Sequence, residues 1–141
     1  QWAEFGYLTG LPSQNAVPVM AAYEDAGSGT LEERARAWLD ANCAHCHNPG
    51  GPANTSGLFL EYTETNSTAL GFCKSPVAAG NGSGGHRYAI VPGHPEKSIL
   101  TYRIKSNDPG VMMPELGRKI VHEEGVALVE RWIASLDGGC E

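Results

Sequence analysis

The sequence predicts an all-α domain in which three main helices are joined by long loops. Three observations predict it. Apolar residues recur at helical spacing in three separate stretches, each opened by a helix-start signal, and no sustained alternation marks a half-buried strand. The 18 glycines and 9 prolines among 141 residues put much of the remaining chain into turns. A composition 41 % hydrophobic and 18 % charged, at this length, is that of one globular domain with a single modest core.

The first helix opens at Thr30, where "TLEE" is a capping box in which Thr30 and Glu33 satisfy each other's free amides. Leu31, Ala35, Trp38, Leu39 and Asn42 follow at helical spacing, so one apolar face runs into Cys43. Residues 1–29 alternate aromatics with breakers and show neither helical nor strand period. They read as an extended N-terminal arm on the surface of a domain spanning residues 30–141, with Trp2, Phe5 and Tyr7 as anchors, or else as a linker from a neighbouring module.

"NPGGPANTSG" at 48–57 is loop, and "GLFLEYTET" at 57–65 is either a short strand or an irregular apolar segment. "AAGNGSGG" at 78–85 has the composition of a flexible surface loop. Pro95 suits a first helical position and Glu96 a first turn, which predicts a helix of about three turns through Ile99, Leu100, Arg103 and Ile104. "SNDPG" at 106–110 stops it, and "VMMPELG" is another ordered loop. The last helix begins near His122, with Glu123 and Glu124 in its first turn. Val126, Val129, Ile133 and Leu136 form its stripe, Trp132 flanks them, and "DGG" ends it.

The formal net charge is −6, from 10 Lys+Arg against 16 Asp+Glu, without a basic cluster. Nucleic acid and anionic membranes therefore find no electrostatic footprint, and a cationic partner is steered better. No apolar stretch approaches the roughly 18 residues of a membrane span, and no charged-then-apolar leader opens the sequence. The chain reads as soluble, either a processed form or a module cut from something longer.

The chemistry concentrates in "ANCAHCHNPGGP" at 41–52. If the first helix continues through residue 47, Cys43, Cys46 and His47 stand at i, i+3 and i+4 on one side of a turn. Two thiols so placed can each add to a haem vinyl group while the imidazole binds the iron, and CxxCH is the c-type haem attachment signature. Three alternatives use the same residues. A zinc site would take Cys43, Cys46 and His45 or His47, with Cys73 or His86 as the fourth ligand. A redox-active pair needs its CxxC after a strand, at a helix start, whereas this one closes a helix. A plain disulfide framework of four cysteines allows three pairings.

For haem iron, Met/His ligation is the pairing that raises the potential for electron transfer. Met112 and Met113 precede Pro114 in a loop bracketed by Gly110 and Gly117, and Met113, abutting the proline, is the preferred sixth ligand. Met20 lies ahead of the first helix. His94 and His122, each at a helix start, are the bis-histidine alternatives, and either methionine can equally be core filler.

From residue 30 to 137 the chain resembles a class I c-type cytochrome. The resemblance is carried by "CAHCH" closing a first helix, the Gly-Pro soon after, the middle helix after "VPGHPEKSIL", "MMPELG", and a closing helix with Trp132. More narrowly, "VPGHPEKSIL" to "MPELGR" is similar to bacterial monohaem domains that occur alone or fused to secreted carbohydrate-active and dehydrogenase modules. Some of these are thought to relay electrons to lytic polysaccharide monooxygenases, a link of analogy only.

The resemblance implies a cytochrome c-like fold, three main helices around one covalently attached haem c. It makes Cys43 and Cys46 the thioether anchors, His47 the proximal ligand and Met113 the distal one. Pro52, or a neighbouring glycine, offers the carbonyl for the proximal ring's other N–H, which fixes its tautomer. Leu58 and Leu100 wall the haem, and Tyr88 and Arg103 are within expected reach of its propionates.

Haem attachment takes two of the four cysteines and leaves an even pair in an export-type protein, so a Cys73–Cys140 disulfide is expected, against the alternative of two unpaired thiols. Closing that loop is worth about 4 kcal/mol in the loop-entropy model. The implied function is electron transfer to a redox protein by an exported, periplasmic or extracellular, monomeric domain that is not itself an enzyme. An open-site haem enzyme or gas sensor, bound through His47 alone, and a zinc-bound interaction module are the other classes. For so loop-rich a chain the haem is also core, and the haem-free form is expected to be poorly ordered.

Overall fold

In the computed structural model, which describes residues 1–17 and 19–141, three α-helices carry the fold: α1 (Leu31–Leu39), α2 (Ile99–Lys105) and α3 (Glu123–Ala134). Single 3-10 turns lie at Gln14–Ala16, Asn54–Ser56, Gly80–Ser83 and Pro95–Lys97. Among the described residues there is no strand; two isolated parallel bridges join Phe72 to Ile90 and Tyr88 to Ser98. Segment 57–65 is therefore irregular, as one of its two readings has it.

α1 starts where its capping box dictates. Thr30 Oγ1 accepts from the Glu33 N–H at 3.2 Å, and the Glu33 carboxylate accepts from the Thr30 N–H at 2.7 Å. Those bonds hold the Glu33 carboxyl below its ordinary range, the Thr30 backbone bond contributing most and the Thr30 hydroxyl next. A depressed carboxyl adds stability above its unfolded-state pKa and loses it as pH falls through the folded-state value. Thr30→Ala is expected to cost about 1 kcal/mol at neutral pH. The cost should shrink as pH falls through the lowered Glu33 value and the carboxylate is protonated, and thermal melts across a pH series check both statements.

α1 does not run α-helically through residue 47. Its last stretch, Asp40–Ala44, is a π-helical turn. The Asn42 side-chain amide donates to the Trp38 carbonyl at 2.8 Å, taking the acceptor that an α-helix would give the Asn42 backbone N–H. Asp40 meanwhile accepts the Tyr62 N–H at 2.7 Å, tying this turn to the segment after the attachment motif.

The second helix is shorter than about three turns for a comparable reason. Ser98 is extended, at φ −95° and ψ 129°, and separates the Pro95–Lys97 turn from α2. Its buried hydroxyl accepts the Val91 N–H at 2.9 Å and donates to the His94 carbonyl at 3.0 Å, so the side chain pins the loop instead of letting the helix begin at Pro95. α2 ends at Lys105, before "SNDPG".

α3 packs on both α1 and α2. Its stripe is as spaced: Val126, Val129 and Ile133 are buried, Trp132 beside them is buried too, and Leu136 packs at the edge. The crossing with α1 is close. Trp38 Nε1 donates to His122 Nδ1 at 3.0 Å, and a Cβ on Gly125 would lie 2.3 Å from the Trp38 ring and 2.5 Å from His122 Nδ1. Alanine normally gains about 1 kcal/mol over glycine in a helix interior. Here overpacking wins, and Gly125→Ala is expected to destabilise by about 3 kcal/mol net, read as a lowered melting temperature.

Trp2, Phe5 and Tyr7 do not anchor the first segment to the domain: they are 68 %, 70 % and 80 % exposed. Residues 1–7 form a tight turn of their own, with the Phe5 N–H on the Gln1 carbonyl and the Tyr7 N–H on the Trp2 carbonyl. The hold on the helical body comes later in the chain, at Tyr23. Its carbonyl accepts from the Arg34 guanidinium, and its ring meets His122 edge-on. Breakers and polar residues after Tyr7 give no apolar face that would lay the aromatics down. Cys73 and Cys140 form a disulfide across 67 positions, drawing the C-terminus against the Phe72–Ile90 bridge.

Candidate functional site

One cavity of about 500 Å³ lies among the end of α1, the loops that follow it, α2 and the methionine loop. Its size is in the range of small-molecule and cofactor sites. Cys43, Cys46 and His47 line it on one side, with Leu58, Leu60 and Pro52. Leu100, Arg103 and Ile104 contribute from α2, and Met113 with Pro114 from the loop beyond. The walls are largely apolar.

The sequence "CAHCHNPGGP" folds as a tight main-chain turn. The N–H groups of Cys46 and His47 both donate to the Cys43 carbonyl, at 3.1 and 2.9 Å, which keeps the two cysteines and the histidine together although the preceding turn is π-helical. The Cys46 carbonyl accepts the Ala53 N–H at 3.1 Å, and a side chain on Gly51 would meet that carbonyl oxygen at 2.3 Å. Only glycine fits there. Burial pushes the Cys43 thiol up to about 12, with the Cys46 and Asp40 charges adding to it, so this sulfur stays a protonated thiol in the folded chain.

His47 is fixed at both ends. Its carbonyl accepts the Leu60 N–H at 2.9 Å, and its ring Nδ1 lies 3.2 Å from the Leu58 carbonyl, with the Ser56 hydroxyl at 3.4 Å. A carbonyl can only accept, so Nδ1 carries the hydrogen and Nε2 keeps its lone pair for a metal. Burial lowers the His47 pKa; the Leu58 bond raises it, and the charges of Arg103 and His45 lower it further, so the ring is held neutral.

The carbonyl role expected of Pro52 therefore falls to Leu58. Pro52 lines the cavity, but the chain turns past it through Asn54–Ser56, and left-handed Gly57, at φ 59°, aims the next carbonyl at the ring. No side-chain pattern announces a main-chain acceptor. "NTSG" was the available signal: a hydroxyl at Ser56 holding the Leu58 N–H at 3.1 Å, followed by a glycine.

The loop at 78–85 lies at the surface, as expected, but one position of it packs inward. Its 3-10 turn buries Gly82 against the Arg103 guanidinium, and Ala78 and Ala79 line the cavity. Lys74 and Val77, just before it, complete that wall.

Other candidate ligands lie elsewhere. His94 pairs with Glu96 at 3.1 Å. His122 Nδ1 takes the Trp38 N–H, and its Nε2 faces Tyr23 and Glu124, at 3.4 and 3.8 Å. Tyr88 donates its hydroxyl to the Glu141 carbonyl at 2.8 Å. Met20 is exposed on the N-terminal segment. Of the adjacent pair, Met113 lines the cavity, and Met112 turns its N–H to the Asp108 carbonyl at 2.8 Å. The zinc reading loses its fourth ligand: Cys73 is bonded to Cys140, and among the described residues no three His, Cys, Asp or Glu side chains converge as a metal cluster.

Residues 43–116, just over half of the chain, match the family model described as Planctomycete cytochrome C. The chain belongs to this family. Searches among curated proteins and among solved structures return no match. The matched span begins at the first cysteine of the attachment motif and closes in the methionine loop, so it contains the cavity lining apart from Asn42. Membership gives the cytochrome domain a covalently bound haem c and a haem-based electron-transfer role. No helix is long and apolar enough to cross a membrane among the described residues.

The residues present fit that group. The cavity offers apolar walls, two thiols in one turn, a neutral imidazole with its Nε2 lone pair free, and a thioether. That donor set is the one c-type attachment and Met/His ligation require.

Proposed function

We propose that Cys43 and Cys46 attach a single haem c, that His47 and Met113 are its axial ligands, and that the domain passes single electrons to a redox protein without transforming a substrate itself. One observation carries the reading: Cys43, Cys46, His47 and Met113 line the same cavity, although Met113 is 66 positions beyond His47.

The bound haem supplies a one-electron Fe(III)/Fe(II) couple. The residues of the chain do the rest. Cys43 and Cys46 would hold the haem through thioether bonds from their sulfurs. Leu58 holds the His47 ring through Nδ1–H, which orients Nε2 and strengthens its donation. Leu58, Leu60, Leu100 and Ile104 exclude water from the pocket, and a dry site with a thioether ligand favours the reduced state. Arg103 and Lys74 are the cations of the lining and the partners for propionates. Tyr88, turned to the C-terminus, is not one of them.

The disulfide and covalent haem attachment both suit an exported, periplasmic or extracellular domain. The acidic balance, −6 overall, favours a partner with a cationic docking face. By analogy alone, the recipient we propose is a secreted oxidoreductase such as a lytic polysaccharide monooxygenase.

Absorption spectra of the oxidised and reduced protein test the reading. The expected result is a low-spin c-type spectrum, with a far-red methionine-to-iron charge-transfer band in the ferric form. A high-spin spectrum without that band would instead support the open-site class, and a colourless protein would remove haem altogether.

A further inference from the structure

The loop that carries Met113 has few bonds of its own. Val111 and Met112 turn their N–H groups to Asp108, and Leu116 beyond is 87 % exposed. Beside Arg118, whose guanidinium donates to the Ile104 and Ser106 carbonyls, three ties between this loop and α2 fall on one residue. Arg103 Nε donates to the Val111 carbonyl at 2.8 Å, the Arg103 carbonyl accepts the Met113 N–H at 3.2 Å, and Nη2 stands 3.8 Å from the Glu115 carboxylate. Residues 111, 113 and 115 are thus tied in alternation to a single position, with the methionine between the two side-chain ties.

Arg103 itself is held from behind. A Cβ on Gly82 would lie 3.1 Å from its Cζ, so the 3-10 turn at Gly80–Ser83 is a backstop against the guanidinium. Val111 is buried, and without the guanidinium its carbonyl would lose the partner the structure gives it.

We propose that Arg103 is a positioning residue for the distal ligand: its Nε–H bond to Val111, with its main-chain bond to Met113, holds the methionine loop so that the thioether stays directed at the iron. The inference rests on the reading of Met113 as a ligand. It differs from a propionate contact, because it assigns the effect to a hydrogen bond within the protein rather than to the charge at the cavity wall.

The probe is imidazole, which takes the sixth position only when the methionine leaves. Haem-loaded wild type, Arg103→Gln and Arg103→Lys are titrated with imidazole, followed in the far-red band. Bonds to charged groups of this kind are worth a factor of about ten or more in an equilibrium. Both variants are therefore expected to bind imidazole at least about tenfold more tightly, with covalent haem and His47 ligation intact. Lysine keeps the charge but lacks the Nε fork, so wild-type affinity in Arg103→Lys would overturn the inference.

Arg36→Gln controls for general loosening, since Arg36 holds the Glu61, Tyr62 and Glu64 carbonyls away from the methionine loop. It should lower the melting temperature yet change imidazole affinity by less than about twofold, well below one charge-assisted bond. Equal tightening in Arg36→Gln and Arg103→Gln would overturn the inference. Failure of the underlying reading looks different: wild type itself lacks the band, and Met113→Ala binds imidazole as wild type does.

Discussion

Met113→Ala is expected to abolish the far-red charge-transfer band of the ferric protein and to leave the iron open to added ligands. The reduction potential should fall by on the order of 0.1 V, within the roughly 0.8 V range over which axial ligands set it. Met112→Ala is the discriminating control. Met113 lines the cavity and Met112 does not, so the band and the potential should stay as in wild type. The reverse outcome, with Met112→Ala losing the band, would transfer the ligand role to the neighbour. Spectroelectrochemistry on the two variants reads both quantities.

The second large effect is on the fold itself. In the double variant Cys43→Ser/Cys46→Ser no sulfur remains in the motif to hold the cofactor, and apolar walls from Leu58, Leu60, Leu100 and Ile104 face a cavity of about 500 Å³. A group that binds only the native state at a thousandfold excess over its dissociation constant adds about 4 kcal/mol. A covalent one adds at least that, so losing it is expected to cost about 4 kcal/mol or more. Helical signal should survive better than the near-ultraviolet signal of Trp38 and Trp132, and a dye that binds exposed apolar surface should bind. A double variant as stable and as well ordered as wild type would separate the fold from the cofactor.

Much of this arrangement is legible because it is local. The "TLEE" box, the stripe from Val126 to Leu136 and the CAHCH spacing each act within a few residues, where side-chain chemistry decides the outcome. "VMMPELG" is legible once an iron is expected, because it offers the paired methionines in a stiff loop. The departures share a different cause: main-chain or buried polar groups act across distance. Asn42 and Ser98 each bond a carbonyl that a regular helix or loop would leave to the backbone, and so shorten the elements around them. Leu58, an apolar residue in the sequence, supplies its function through a carbonyl. The Gly-rich stretch at 78–85 has the composition of a flexible surface loop, yet Gly82 is buried against the Arg103 guanidinium, where a Cβ would make a tight contact of 3.1 Å. Trp2, Phe5 and Tyr7 fail as anchors for the opposite reason, since no complementary groove is offered to them.

The central claim is that a tetrapyrrole is bonded to the sulfurs of Cys43 and Cys46. Intact-mass spectrometry of the exported, matured protein, under denaturing conditions, tests it most directly. The expected mass is that of the polypeptide, with its one disulfide, plus one haem, and the Cys43→Ser/Cys46→Ser variant should lose the increment. A wild-type mass equal to the bare polypeptide would contradict the account.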